Sequence, residues 1–491
     1  MKLNQGNDRQ FFGVRGGLGI LPDSVWGDCL DIVSGQRPFL LASAVLVFPR
    51  NSLRQHVNKT LYILTSAGAI ALALILLSMD RQPVVRSLPV RSLGTRFETG
   101  ALTFQRADNG SSFDARPRIT NINITDLDTD GTMDLLICDA VRHTIWWQRR
   151  TVDNDWTTVP LVPENSLPAP AHTAVVDIDA DGDPDILVAI LRSVWPTDSR
   201  HGQVVALIND GELGFEVMVI ADDLRRVTDV QPADFDADGD IDLAVAEFGY
   251  LHGRVLWLEN VGSGRFADHE LVSLPGCIHV PVDDYDNDGD PDIAALISQN
   301  DEEVLIFENP GNGSFQPVAH QVWGTTDYDL GLAGMVTCDL DQDGDTDLLL
   351  SAGDNLELAY PCPQPDHGCI WLENRGNFEF ESHRIGSLGG TYAADAADMD
   401  GDGDTDVVLA SMFNDWKQPD VTSLAWLENN GQQTFSAWHV ASGPTHLCTV
   451  RCGDLNGDGL PDIVAGSLQI YPPYNNADGG IAIWENQGVA Q

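Results

Sequence analysis

The chain has 491 residues, with 27 Lys+Arg against 74 Asp+Glu and a formal net charge of −47. The imbalance is uneven: residues 1–95 carry 10 basic and 5 acidic residues, which leaves 17 and 69 in residues 96–491, a net −52 with Lys417 the only lysine. A body so acidic repels nucleic acid and anionic lipid, and both are set aside as its direct partners.

Residues 1–60 read as a basic N-terminal segment, expected to be poorly ordered. Residues 61–79 (LYILTSAGAIALALILLSM) run for 19 positions without a charge, with Arg50, Arg54 and Lys59 before them and Asp80 and Arg81 after. That approaches the ~20 apolar residues needed to cross a bilayer, whereas the earlier run at 38–48 is too short. The stretch is read as a transmembrane or signal-anchor helix, with 80–95 as its linker. Cleavage as a signal peptide is the alternative, giving a secreted protein, but the run ends LLSMD and offers no AxA-like site. Flanking Lys/Arg counts, 3 before and 4 after, leave the orientation open.

From residue 96 the texture changes. Residues 96–105 (RFETGALTFQ) read as a single strand, and then one acidic loop of the form DxDxDGxxD recurs seven times, beginning at Asp126, Asp177, Asp234, Asp284, Asp339, Asp398 and Asp454. The intervals are 51, 57, 50, 55, 59 and 56 residues, the period of an array of similar units. Oxygens at positions 1, 3, 5 and 9 and a backbone carbonyl at 7 can surround one cation, and Gly at 6 allows the sharp turn. A hard ion taking six to eight oxygens prefers that set, so calcium is expected, about one per unit. Four carboxylates packed this closely repel one another unless a cation neutralises them. The expected ligands are Asp126, Asp128, Asp130 and Asp134; Asp177, Asp179, Asp181 and Asp185; Asp234, Asp236, Asp238 and Asp242; Asp284, Asp286, Asp288 and Asp292; Asp339, Asp341, Asp343 and Asp347; Asp398, Asp400, Asp402 and Asp406; and Asp454, Asn456, Asp458 and Asp462. Asn456 removes a charge, so the seventh loop should bind most weakly. An EF-hand is excluded, because position 12 is apolar or small, as at Ile137, Val188 and Val245.

Each loop is followed by a short aliphatic run such as DILVAIL or DVVLASM, which reads as a buried strand. Ten to twenty residues later comes a second echo, VLWLENVGSGRF at 255–266 and IWLENRGNFEF at 370–380 among its copies, whose Asn and Gly mark a hairpin turn. Each unit thus has strand A, the acidic turn, strand B, a variable loop, strand C, an Asn/Gly turn and strand D, the four-stranded antiparallel blade of a β-propeller. The seventh unit ends after strand C. Residues 96–105 are expected to supply its missing strand D and close the ring. Trp146, Trp257, Trp371 and Trp426 are read as one recurring position packed between blades, and the Glu and Asn of WLEN as turn and rim residues.

Together the acidic loop, the aliphatic strand and WLENxGxxxF resemble the FG-GAP/VCBS repeat family, which includes the integrin α-subunit head, over residues 96–491. The resemblance implies an all-β, seven-bladed propeller with calcium in the A–B loops of one face and ligands on the opposite face.

Strand polarity puts the B–C loops on that opposite face, and they are rich in large polar and aromatic residues. Trp195, His201, Tyr250, His252, Trp416, Tyr471 and Tyr474 are candidate ligand contacts. A second set lies five residues before each loop, at Asn121, His172, Asp229, His279, Gly334, Ala393 and Thr449, expected near the central channel with His446 and Asp395 close by. Of these, His172, Asp229, His279 and His446 are candidate ligand groups for a metal or an anionic sugar.

Cys362 and Cys369 share the loop CPQPDHGC and are expected to form a local disulfide. Cys448 and Cys452, ~13 Å apart along one strand, cannot pair with each other, and Cys138 and Cys277 read as buried thiols. No GxSxG, HExxH, P-loop or dinucleotide fingerprint is present. Two readings remain. The favoured one is an extracytoplasmic binding or adhesion module for a glycan or protein, anchored in the membrane by the N-terminal helix. The other is a carbohydrate-active enzyme, a polysaccharide lyase or sugar dehydratase, using the channel histidines and acids. Millimolar extracellular calcium suits weak multi-Asp sites and favours an extracytoplasmic propeller.

Overall fold

The strand that follows the acidic loop is buried along its whole length in six blades, as in Asp134–Asp139, Asp185–Ile190, Asp242–Glu247 and Asp406–Ser411, and in blade 4 along all but its last residue, Ser298. A strand covered on both faces needs no polar alternation, which is why these segments read as continuous aliphatic runs. The computed structural model describes residues 96–108, 116–151, 155–299, 302–326, 330–356, 362–418, 420–474 and 480–489. The basic segment, the 61–79 span and the linker lie outside them. Chain contacts separate Met1–Gln82 from Pro83–Gln491, and every described residue belongs to the second unit. Among the described residues no helix is long and apolar enough to cross a membrane.

Seven antiparallel sheets follow one another in the strand order A-B-C-D, six of them built from consecutive strands. The first blade is Ile119–Thr125, Asp134–Asp139, Thr144–Arg150 and Trp156–Pro160. The last joins the chain's ends: Leu102–Arg106 pairs antiparallel with Ile481–Val489 and supplies the outer strand, as expected from residues 96–105. Leu102 and Phe104 pack there with Val450 and Trp484. At the same seam the Cys448 thiol donates to the Ile119 carbonyl at 2.9 Å, linking blade 7 to blade 1. The described residues thus form an all-β, seven-bladed propeller.

The apolar core lies between blades. One cluster combines Ala244 and Trp257 of blade 3 with Ile293, Phe307 and Phe315 of blade 4. Trp257, Trp371 and Trp426 occupy the expected position, paired with Ala244, Leu349 and Val408. In blade 1 that position belongs to Trp147, paired with Leu136, and not to Trp146. With a side-chain period of two, the one-residue difference turns Trp146 to the other face, where its Nε1 donates to Asp139 Oδ2 at 3.1 Å.

The expected Cys362–Cys369 bridge is not formed; both residues are thiols. Cys369 is not a loop residue but the second residue of strand Gly368–Asn374, packed among Leu349, Trp371 and Leu388, while the Cys362 sulfur accepts a hydrogen bond from Gln364 Nε2 at 3.5 Å. The wild-type protein is therefore expected to give the same thermal melt with and without dithiothreitol, and the same melt as a Cys362→Ser variant. Cys138 and Cys277 are buried thiols, as expected.

Strand A carries a feature the sequence pattern does not display. In every blade its pairing with strand B slips just before the fifth residue ahead of the acidic loop, between Ile119 and Asn121, Pro170 and His172, Val227 and Asp229, Cys277 and His279, Leu332 and Gly334, Thr391 and Ala393, and Leu447 and Thr449. A bulge bends the strand and re-aims one side chain. Here it turns seven equivalent residues toward the ring axis. In blade 4 strand A is broken again, into Cys277–His279 and Val282–Asp283, around Pro281, which has no N–H for the ladder.

Candidate functional site

The acidic loops share one set of bonds. In six loops position 1 accepts from the backbone N–H groups of positions 5 and 6, as Asp126 does from Asp130 (3.0 Å) and Gly131 (2.9 Å); in the sixth Asp398 accepts from Gly401 (2.9 Å) and Gly403 (3.1 Å). Position 5 accepts from position 7, as in Asp288 from Asp290 at 3.0 Å. Position 6 has φ between 89° and 98° in all seven loops, from Gly131 to Gly459, a region that favours glycine. These turns draw carboxylate oxygens together: those of Asp126, Asp128 and Asp134, of Asp177, Asp179 and Asp185, of Asp234, Asp236 and Asp238, and of Asp284, Asp286 and Asp292 lie within 4.8 Å of one another. The donor set, all hard oxygen, fits calcium.

On the axis, the seven inward-turned residues Asn121, His172, Asp229, His279, Gly334, Ala393 and Thr449 all line one cavity of about 420 Å³. Their convergence is as expected. Asp229 is almost fully buried, with His172 Nδ1 3.0 Å from Oδ1 and His279 Nδ1 3.3 Å from Oδ2. His279 Nδ1 is hydrogen-bonded to it, and Val280 N–H (3.0 Å) and Gln231 Nε2 (3.1 Å) donate to it. Burial pushes the Asp229 carboxyl up, but the charge of His172 and the neighbouring His279 outweigh it and hold the group well below the usual carboxylate range. Asp395 lines the same cavity with Arg451 3.8 Å away, and burial raises its pKa against that pull. His446 is elsewhere: it is buried, bonded to Thr445 Oγ1 at 2.9 Å and packed on the Trp416 ring.

The opposite rim is only partly open. Met412, Phe413, Cys448, Leu468 and Ile470 pack with Val194, Leu356, Tyr392 and Tyr471, and several of these side chains line the upper end of the channel. Trp416 is half-buried, its Nε1 bound to the Met412 carbonyl at 3.2 Å, and Tyr474 sits under the Arg116 guanidinium. Among the described residues of this rim, the exposed large apolar and aromatic side chains are on blades 2 and 3. Trp195 is 46% exposed, Tyr250 41% and Leu251 62%, and His201 and His252 are exposed as well. Asp198 joins the two loops, accepting from Leu251 N–H at 2.7 Å with His252 Nδ1 at 4.0 Å, while Trp195 meets Tyr471 edge-on at 6.4 Å.

The FG-GAP-like repeat matches at residues 100–188, 234–295 and 284–350, which contain the first five acidic loops. The chain carries FG-GAP-like repeats. Loops 6 and 7 lie outside the matched segments but keep the bond from position 6 to position 1, with Asp398 accepting from Gly403 and Asp454 from Gly459. Among solved structures the chain is similar to BBS1N in two crystal structures in complex with ARL6DN, one soaked with mercury and one with lead. Each is 13% identical and covers 80% of this chain and 99% of the other, with TM-scores of 0.46 and 0.44. No curated protein matches. Propeller and repeats together describe a binding or interaction module.

The closing Asp of the acidic loops and the Asn of WLEN also carry structural hydrogen bonds. The closing Asp is buried and clips two loops: Asp292 Oδ2 accepts from Tyr285 N–H at 3.1 Å and Oδ1 from Asn309 N–H at 2.7 Å. Burial lifts these carboxyls, to about 6 for Asp134, Asp242, Asp347 and Asp462 and about 7 for Asp292 and Asp406; Asp185 is raised too. In three blades the Asn also reaches across the blade boundary, Asn309 Nδ2 to the Phe235 carbonyl (2.9 Å), Asn374 to Tyr285 (2.9 Å) and Asn486 to Met399 (2.7 Å), whereas Asn209, Asn260 and Asn429 donate to Pro184, Ile241 and Thr405 of their own blades. The Glu before it is tied to strand D, as in Glu259–His269 (2.7 Å), Glu308–His320 (2.6 Å) and Glu373–His383 (2.8 Å). The recurrence of WLEN in register with the acidic loop was the available signal for this coupling.

Proposed function

We propose that the protein is a membrane-anchored, extracytoplasmic binding module in which calcium stiffens one rim and the opposite rim holds a protein ligand. The observation carrying the ligand reading is the exposure of Trp195, Tyr250 and Leu251 on two adjoining loops fixed by Asp198. Exposed aromatics on a rigid scaffold are typical interface anchors. Leu251, with no hydroxyl-binding group and no ring to stack on a sugar, favours a protein over a glycan. Anchoring rests on the uncharged 61–79 stretch.

Calcium is supported by the convergent carboxylates and the left-handed glycines. Two loops should bind it least tightly: the seventh, through Asn456, and the first, where Arg149 already pairs with Asp128 at 2.7 Å. Both the Asn and the ion pair lower the charge presented to the ion.

Calcium-loaded protein screened against displayed surface and secreted proteins, with a glycan array in parallel, tests the reading. The expected result is a protein ligand whose affinity falls by at least about tenfold, or ~1.4 kcal/mol, in Trp195→Ala and Leu251→Asp. Binding confined to glycans, or protein binding indifferent to both changes, would overturn it.

A further inference from the structure

His172, Asp229 and His279 belong to three consecutive blades, and the same bulge in each strand A turns them inward. His172 is 8% exposed, and its Nδ1, although 3.0 Å from Asp229 Oδ1, is not aligned as a donor and has no hydrogen-bond partner. A buried nitrogen beside a carboxylate oxygen without donating to it is how two ligands of one ion stand. Ligand atoms each about 2.1 Å from a tetrahedral ion are about 3.4 Å apart, near the 3.0 and 3.3 Å that separate the His172 and His279 Nδ1 atoms from the Asp229 oxygens. Asn121 Oδ1, on the preceding blade and also lining the cavity, is buried and likewise unpartnered. Across the ring Gly334 and Ala393 present little or no side chain, so the cavity of about 420 Å³ has room for water ligands.

We propose that His172, Asp229 and His279 bind one divalent transition-metal ion of the zinc type in the channel, a site separate in place and chemistry from the acidic loops. Imidazole nitrogen suits zinc, copper, iron and nickel, whereas calcium takes oxygen ligands. Gln231 and Val280, which donate to the Asp229 carboxylate, would hold it in place as an outer shell does in metal sites.

The test is Co²⁺ titration of the full-length protein in detergent, with calcium at roughly 10 mM so that the acidic loops are filled. One equivalent of Co²⁺ with visible ligand-field bands, displaced by Zn²⁺, is expected, with affinity at least about tenfold weaker in His172→Asn and His279→Asn. Asp458→Asn in the seventh loop should leave the bands unchanged. No bands, or bands undiminished in both histidine variants, would overturn the proposal. X-ray absorption of the zinc-loaded wild type decides independently of how the variants fold: imidazole scattering at about 2.0–2.1 Å supports the site, and an oxygen-only shell sinks it.

Discussion

Withdrawing calcium with EGTA at low ionic strength is expected to lower the melting temperature of the propeller by at least about 15 °C. A site holding ligand at 100 times its Kd contributes about 2.7 kcal/mol, so four such sites give about 10 kcal/mol, comparable with the whole stability of an ordinary domain. In domains of 150–250 residues about 1 kcal/mol moves the melt by ~2–4 °C. Electrostatics adds to this, since seven ions would return 14 charges to a body at −52. The pH dependence has a definite sign. In the calcium-free protein the closing carboxyls titrate at about 6 (Asp134, Asp242, Asp347, Asp462) or 7 (Asp292, Asp406), above the ordinary 3.8. The folded state therefore holds these protons more tightly than the unfolded one. Their stabilisation is complete below about pH 4 and lost as pH rises through 6 to 7. EGTA-treated protein should melt higher at pH 5 than at pH 8. Calcium needs the ionised carboxylates, so its increment should be larger at pH 8. Calorimetry in calcium and in EGTA at the two pH values checks both; a melt indifferent to EGTA at pH 8 would remove calcium from the account.

Blade number, strand order and ring closure were legible because each rests on a pattern that repeats. The acidic turn, the aliphatic strand and the Asn/Gly hairpin recur in phase, and a seventh unit lacking strand D calls for residues 96–105. What escaped depends on single-residue offsets or on neighbours distant in sequence. Trp146 and Trp147 are adjacent, and only the pairing of Trp147 with Leu136 tells them apart. Cys369 looked like a loop residue until strand Gly368–Asn374 carried it into the core. His172, Asp229 and His279 were identifiable as equivalent positions, but their contact comes from the bulge that aims them inward. His446, three residues from Thr449, stays out of the channel because it packs under Trp416 instead. The Asn of WLEN has the composition of a turn residue, and its bond to the preceding blade, 89 positions away for Asn374 and Tyr285, has no local signature.

Asp347→Ala is expected to destabilise the protein by roughly 3–6 kcal/mol even in EGTA, because it would strand three buried donors at about 1–3 kcal/mol each, partly offset by relaxation. These are Asn374 N–H (2.8 Å) on Oδ1, and Leu340 N–H (3.1 Å) and Trp371 Nε1 (2.9 Å) on Oδ2. Asp343→Ala, in the same loop, removes a carboxylate exposed to solvent whose one backbone donor is Asp345 N–H at 3.0 Å. Water can replace that bond, so Asp343→Ala should weaken calcium binding while leaving the EGTA melt nearly unchanged. The closing carboxylate also fixes Asn374, whose Nδ2 holds Tyr285 O of the neighbouring blade, so Asp347→Ala and Asn374→Ala should combine less than additively. Denaturant unfolding of the two single variants and the double in EGTA measures this. If Asp347→Ala unfolds like the wild type without calcium, the closing carboxylate serves the metal alone; if it alone falls, the acidic loop is also a blade-to-blade fastener that operates before any ion binds.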